Sequence, residues 1–182
     1  MADQQVAVLI DYENVGLHAI RWLLDQVSES GRVVVKRAYA DWSSVGSSQR
    51  DELLALGIEP VHLFRSPGSG KNASDIRLAV DAIDLVYQSP LVDTYVVVSS
   101  DSDFVPLVIK LRAAGKTVIG AGREATVAKS LVRSCDRYYF LDQADKVGTA
   151  RTSPAGEEGD SLLVRAVKVA MDDQGRVSSG AS

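Results

Sequence analysis

One cysteine in 182 residues, Cys135, excludes an internal disulfide and a zinc site built from cysteines. Its apolar neighbours suit a plain core thiol, so thiol redox chemistry is set aside. Histidine is almost as scarce: His18 falls in a helical pattern and His62 in a strand, and each suits an ordinary structural role. Long apolar runs are missing as well. Nothing approaches the roughly 20 residues of a membrane span, and the opening MADQQ lacks the basic and apolar parts of a secretory signal. The expectation is a cytoplasmic protein with no membrane partner. Positive charge is not in excess either, and a formal net charge of -4 argues against a chain that coats nucleic acid, while leaving room for local basic patches. The 46% hydrophobic content is enough for one ordinary domain with a full core and a short appendage.

Two apolar runs stand out, and each ends in carboxylates. VAVLIDYEN delivers Asp11 and Asn14 after one aliphatic stretch, and YVVVSSDSDF delivers Asp101 and Asp103 after another. Short β-branched runs of this kind suit parallel strands covered on both faces. In open α/β sheets the site lies beyond the carboxyl ends of such strands, which places these acids together. Carboxylates sharing one crevice repel one another, and a hard divalent cation with oxygen ligands resolves the repulsion.

Strand and helix patterns alternate along the chain. Strands are expected at 6–10, 33–39, 58–64, the run before Ser99, 117–119 and 138–141, with helices at 15–27, 48–56, 73–87, 104–114 and 126–133. The order βαβαβαβαβαβ specifies an α/β three-layer sandwich around a mostly parallel central sheet. For the helix at 73–87 the expected apolar stripe is Ile76, Ala79, Val80, Ile83 and Val86. After residue 146 the composition turns to Gly, Ser, Thr, Pro and charge, which reads as a linker over 147–160. LLVRAVKVAMDD follows, with apolar residues at 162, 163, 166, 167 and 170, a spacing that demands a partner surface.

The segments DYEN, GKNASDIRLAVDAIDLVY, VVVSSDSDFVPLVIKLRAAGKTVIGAG and CDRYYFLD resemble the NYN domain, a branch of the PIN-like ribonuclease superfamily, over about residues 6–142. The resemblance implies a PIN-like (Rossmannoid) domain at 1–146 that cleaves RNA with Mg²⁺ or Mn²⁺. The segment 161–182 resembles the start of a LOTUS (OST-HTH) winged-helix module. RNA is the implied partner; a second copy of the chain, or a protein bound through the C-terminal module, stays open. Neither histidine is placed to cleave RNA without metal.

The residue chemistry stands beside that resemblance. Asp11, Asp75, Asp101 and Asp103 are the expected metal ligands, Asp75 entering from the first turn of the helix at 73–87, with Asn14 orienting a water or a ligand. In-line hydrolysis assisted by one or two cations would leave a 5′-phosphate and a 3′-hydroxyl. Ser99, Ser100, Arg65, Lys71 and Arg77 are the expected substrate contacts, the cations holding phosphates. Taken singly, Asp101, Ser100 and Asn14 also suit helix N-caps, and Asp81 either borders the site or bonds the sheet. Three rival motifs fail on details. SPGSGKN has Asn72 where a P-loop needs Ser or Thr; GAGREA with Asp142 fits a dinucleotide fingerprint but lies on the fifth strand; DSDF has Phe104 where a haloacid-dehalogenase motif needs Thr or Val. A PIN-like fold that binds RNA or docks proteins without turnover is the alternative from another class.

Overall fold

The structure is a computed structural model that describes residues 4–63 and 72–151, with all their side chains except those of Asn14 and 147–151. Six strands, β1 (Gln5–Asp11), β2 (Arg32–Ala40), β3 (Glu59–His62), β4 (Val92–Val98), β5 (Thr117–Gly122) and β6 (Arg137–Phe140), form one sheet in the order β3-β2-β1-β4-β5-β6. Every neighbouring pair is parallel. The connections are α1 (Leu17–Ser28), α2 (Ser47–Ala55), α3 (Ala73–Gln88), α4 (Val105–Ala113) and α5 (Lys129–Ser134), and α6 (Asp142–Arg151) follows the last strand.

β1 lies at the centre of this sheet, and its residues from Val6 to Ile10 are fully buried. Alternation splits them: Val6, Val8 and Ile10 join a core with Ile20, Leu23, Leu53 and Ala144, while Ala7 and Leu9 join a second core with Leu78, Val108 and Leu131. Both faces of the strand are therefore covered, which is why the run is continuously apolar rather than alternating. The strand order reverses between β1 and β4, the place where an open α/β sheet leaves a crevice at its carboxyl edge.

Several boundaries differ from the sequence reading. β5 continues through Gly120, Ala121 and Gly122, because the two glycines leave the space that Tyr138 occupies. α5 starts at Lys129, since residues before it turn back, with Val127 N bonding Arg123 O and Ala128 N bonding Ser100 O. On α3 the stripe is rotated from the expected one. Ser74, Leu78, Ala82 and Leu85 face the core, whereas Ile76 and Val80 are 64% and 58% exposed. Ala79, Ile83 and Val86 flank the seam. α6 runs to Arg151, past the point at which the composition changes, and is anchored by buried Ala144 and by a 3.1 Å bond between its carbonyl and His18 Nε2. Among the described residues no helix is long and apolar enough to cross a membrane. The segment 161–182 lies outside the described residues.

Candidate functional site

The register of β1 on β4 pairs Ile10 with Val98, so the next residues, Asp11 and Ser99, leave the sheet side by side. Asp11 is 4% exposed and Ser99 2% exposed. A buried carboxylate needs polar partners, and Ser99 Oγ donates to Asp11 Oδ2 at 3.4 Å while accepting from Asp101 N at 3.2 Å. Ser99 thus ties the ends of two strands together beneath the surface. The sequence reading expects Ser99 to contact substrate; in the structure it is buried and bonds Asp11 and the backbone of Asp101.

Beyond Ser99 the chain makes a short 3₁₀ turn, Ser102–Phe104, which Asp101 caps by accepting from Asp103 N at 2.9 Å. The capping role allowed for Asp101 is real, and it uses only Oδ1. Asp101 and Asp103 are both exposed. A second 3₁₀ turn, Tyr12–Asn14, follows β1 and sets Glu13 at the surface, with the ring of Tyr12 packed 5.0 Å from that of Trp42. Asp75 enters from the first turn of α3.

These acids share one field. The Asp75 carboxyl is pushed up to about 6, by burial first and then by the charges of Asp11, Asp101, Glu13 and Asp103. Each of these neighbours disfavours ionisation of Asp75, as like charges in one crevice do. The topology therefore brings together Asp11 from β1, Asp75 from α3, and Asp101 and Asp103 from the loop after β4. Glu13 joins them. Glu13, two residues after Asp11 in DYEN, is not among the acids expected from sequence, although the same strand end delivers it.

The other expected site residues separate. Arg77 Nε bonds Asp81 at 2.9 Å, one helical turn on. Asp81 also accepts from Tyr39 Oη at 3.0 Å and lies 3.9 Å from Arg37, so it ties α3 to β2 rather than bordering the acids. Burial, with Asp81 second, pushes the Tyr39 phenol up. Arg65 and Lys71 lie outside the described residues, as does the side chain of Asn14, whose backbone follows β1 directly. His18 and His62 are both structural, His62 Nδ1 accepting from Trp42 N at 3.2 Å. Burial raises the Cys135 thiol, which suits an inert core group.

On the β5 side of Asp101 an open pocket of about 530 Å³ is lined by Ser100, Asp101, Ser102, Arg123, Thr126 and Ala128. The dinucleotide reading of GAGREA ends here. Tyr138 fills the space beside Gly120 and Gly122 and donates to Ser99 O at 2.9 Å, and Asp142 accepts from Glu124 N at 2.7 Å.

The donor set fits a hard divalent cation in its chemistry: oxygen ligands only, with mutual repulsion that a cation would relieve. Among the described residues no three of these acids are gathered around a single point. The charge makes a stability prediction. Asp75 binds its proton more tightly folded, near 6, than unfolded, near 4, so without cation its ionisation lowers stability as pH rises through that window, and below about 4 the penalty vanishes. Asp75→Asn in EDTA should raise stability at pH 7.5 by roughly 1–2 kcal/mol after solvent screening, and by nothing at pH 4. Urea unfolding at the two pH values measures this, and an equal effect at both would refute the shared field.

The NYN domain model matches residues 5–142. An uncharacterized protein of Methanocaldococcus jannaschii is 30% identical over 138 residues, 74% of this chain and 54% of that protein. This chain thus spans about half the length of that relative. The crystal structure of a protein of unknown function from Vibrio parahaemolyticus superposes with a TM-score of 0.63 at 25% identity, covering 78% of this chain and 95% of that one. Its likeness agrees with an all-parallel α/β sheet of PIN-like, Rossmannoid form. PIN-like nucleases typically use divalent metals. With the family model matching well over half its length, the chain belongs to the NYN domain family, a PIN-like ribonuclease family.

Proposed function

We propose that this protein is a divalent-cation-dependent endoribonuclease that hydrolyses phosphodiester bonds of single-stranded RNA. The observation that carries this reading is the convergence of carboxylates from three chain segments, expressed in the raised proton affinity of Asp75. Capping and solvation account for any one of these acids, but not for acids from three chain segments lying close enough for their charges to act on Asp75.

Asp11, Asp75 and Asp101, with Asp103 at the rim, would hold Mg²⁺ or Mn²⁺. When bound, such a cation supplies Lewis acidity at the reacting phosphate and charge compensation for its leaving oxygen. The chain's own residues do the rest. Ser99 fixes the Asp11 carboxylate against the end of β4. The capping bond of Asp101 is accepted by Oδ1, so Oδ2 would be the oxygen offered to the cation. Asp75, half-buried and near 6, is neutral part of the time at mildly acidic pH, so cation affinity should weaken below that value. Asn14 is assigned the orientation of an attacking water.

Incubation of the purified chain with a 5′-labelled single-stranded RNA tests the reading. Cleavage in Mn²⁺ or Mg²⁺, none in EDTA, and products carrying 5′-phosphates are expected; 2′,3′-cyclic phosphate ends, or cleavage undiminished by EDTA, would overturn it. Cytoplasmic location, a domain boundary at 146 and a LOTUS-like RNA-contacting start at 161–182 belong to the same reading, carried by the sequence alone. Removing residues after Arg151 should then spare hydrolysis of a short RNA.

A further inference from the structure

A phosphate polymer approaches an acidic crevice along a path that offers cations and hydrogen-bond donors. On the α3 flank the described cation is Arg77, whose guanidinium is engaged by Asp81. Arg112 and Lys116 serve the opposite edge of the sheet. Lys116 donates to Pro90 O, ahead of β4, and Arg112 to Ser134 O and Asp136, ahead of β6. Arg123 differs from all three. It follows Gly122, the last residue of β5, at the same carboxyl edge as Asp11 and Ser99, and it lines the open pocket that Asp101 also lines. Its contact with Asp142 is loose at 3.9 Å, against 2.9 Å for the ion pairs of Arg77 and Arg112.

The hydroxyls of Ser100, Ser102 and Thr126 complete the pocket. Thr126 Oγ1 lies 3.2 Å from Ser100 Oγ and 3.4 Å from Arg123 O, so it links the Ser100 hydroxyl to the backbone of Arg123 at the pocket wall. Ser100 is held in place by its own carbonyl, which accepts from Ala128 N at 3.3 Å. None of the lining residues is aromatic, so the pocket offers no stacking platform for a base. The Arg123 guanidinium and the hydroxyls of Ser100 and Ser102 are phosphate donors, and Asp101 sits at the boundary with the acid crevice.

We infer that this pocket seats a phosphate of the RNA strand next to the one at the acids, Arg123 pairing with its oxygens and Ser100 donating from the hydroxyl that Thr126 orients. The strand then lies across the carboxyl ends of β4 and β5, away from α2. The inference rests on the nuclease reading. It adds to that reading the side from which substrate is gripped, and it makes this subsite blind to base identity.

Arg123→Ala and Thr126→Val, alone and together, test it in the whole chain. With Mn²⁺ and a labelled single-stranded RNA, Arg123→Ala should raise KM roughly tenfold, the loss of a charge-assisted contact, with kcat within about threefold. Arg123→Lys should recover part of the loss. Thr126→Val should give a smaller rise. The log–log salt dependence of RNA affinity, read by fluorescence anisotropy in EDTA, should flatten by about 0.7 in Arg123→Ala, and all base compositions should weaken alike. Unchanged affinity and salt slope in the double variant would overturn the inference and leave the nuclease reading standing. Failure of the wild type to cleave would sink that reading, while the anisotropy comparison would still decide this one; absence of RNA binding by the wild type would sink both.

Discussion

Asn substitution at Asp11, Asp75 or Asp101 should each reduce Mn²⁺-dependent RNA cleavage by at least about a hundredfold, and the triple variant should fall to background. The expectation follows from where the side chains stand. Each keeps the size of the original and removes one anionic oxygen, so the fold loses little while the cation loses a ligand charge. Asp11 is the stringent case, because it is buried and held by Ser99, and an amide there can keep that bond through its oxygen only by putting its NH₂ in place of the other carboxylate oxygen. Asp103→Asn should be milder. It is exposed at the rim, and the bond it makes in capping comes from its backbone nitrogen, which substitution spares. A readout free of activity runs in parallel: Mn²⁺ should raise the melting temperature of the wild type and leave that of the triple variant unmoved. If the triple variant retained wild-type cleavage, the carboxylates would not be the metal site.

Why the acids were legible from sequence, and other residues were not, follows from how each is held. Asp11 and Asp101 come at the ends of runs that are apolar because both sheet faces are covered, so the run itself announces where the chain emerges. Alternation then fixed the parallel sheet. The phase of α3 was harder, because Ile76 and Val80 are apolar yet point away from the sheet, and the position that anchors the first turn is Ser74, a polar residue that is 6% exposed. Periodicity locates a helix, but it misplaces the buried face when apolar residues lie on more than one side. The bond of Ser99 to Asp11 is invisible in the sequence for a different reason. The partner of Ser99 is on another strand, and only the register of β1 on β4 brings the two together. α6 left little signal, since what ties its described part to the sheet is buried Leu141 and Ala144, a carbonyl bond to His18 and the bond that Asp142 accepts from Glu124 N, none of which makes an apolar stripe.

Gly120→Val should lower stability by about 3 kcal/mol, equivalent to roughly 6–12 °C in melting temperature for a domain of this size. At Gly120 a Cβ would strike the ring carbons of Tyr138 and come within 2.9 Å of Cys135 Sγ. Neither neighbour yields easily. Tyr138 is pinned by its hydroxyl bond to Ser99 O and packs 5.4 Å from the ring of Phe140, and Cys135 lies under the same core. Gly115→Ala makes the contrast. Its φ of +80° calls for glycine, but a Cβ there meets nothing within 4 Å, so the cost should stay near 1 kcal/mol, from backbone conformation alone. A double-mutant cycle isolates the cause: Gly120→Val with Tyr138→Ala should be less destabilised than the sum of the single variants by more than about 1 kcal/mol. Had Gly120 been present to let a pyrophosphate approach the backbone, the side chain would enter empty space and the unliganded protein would lose little. Thermal and urea unfolding without ligand therefore distinguish the two, and a loss below about 0.5 kcal/mol for Gly120→Val would show that Tyr138 is not the reason for the glycine.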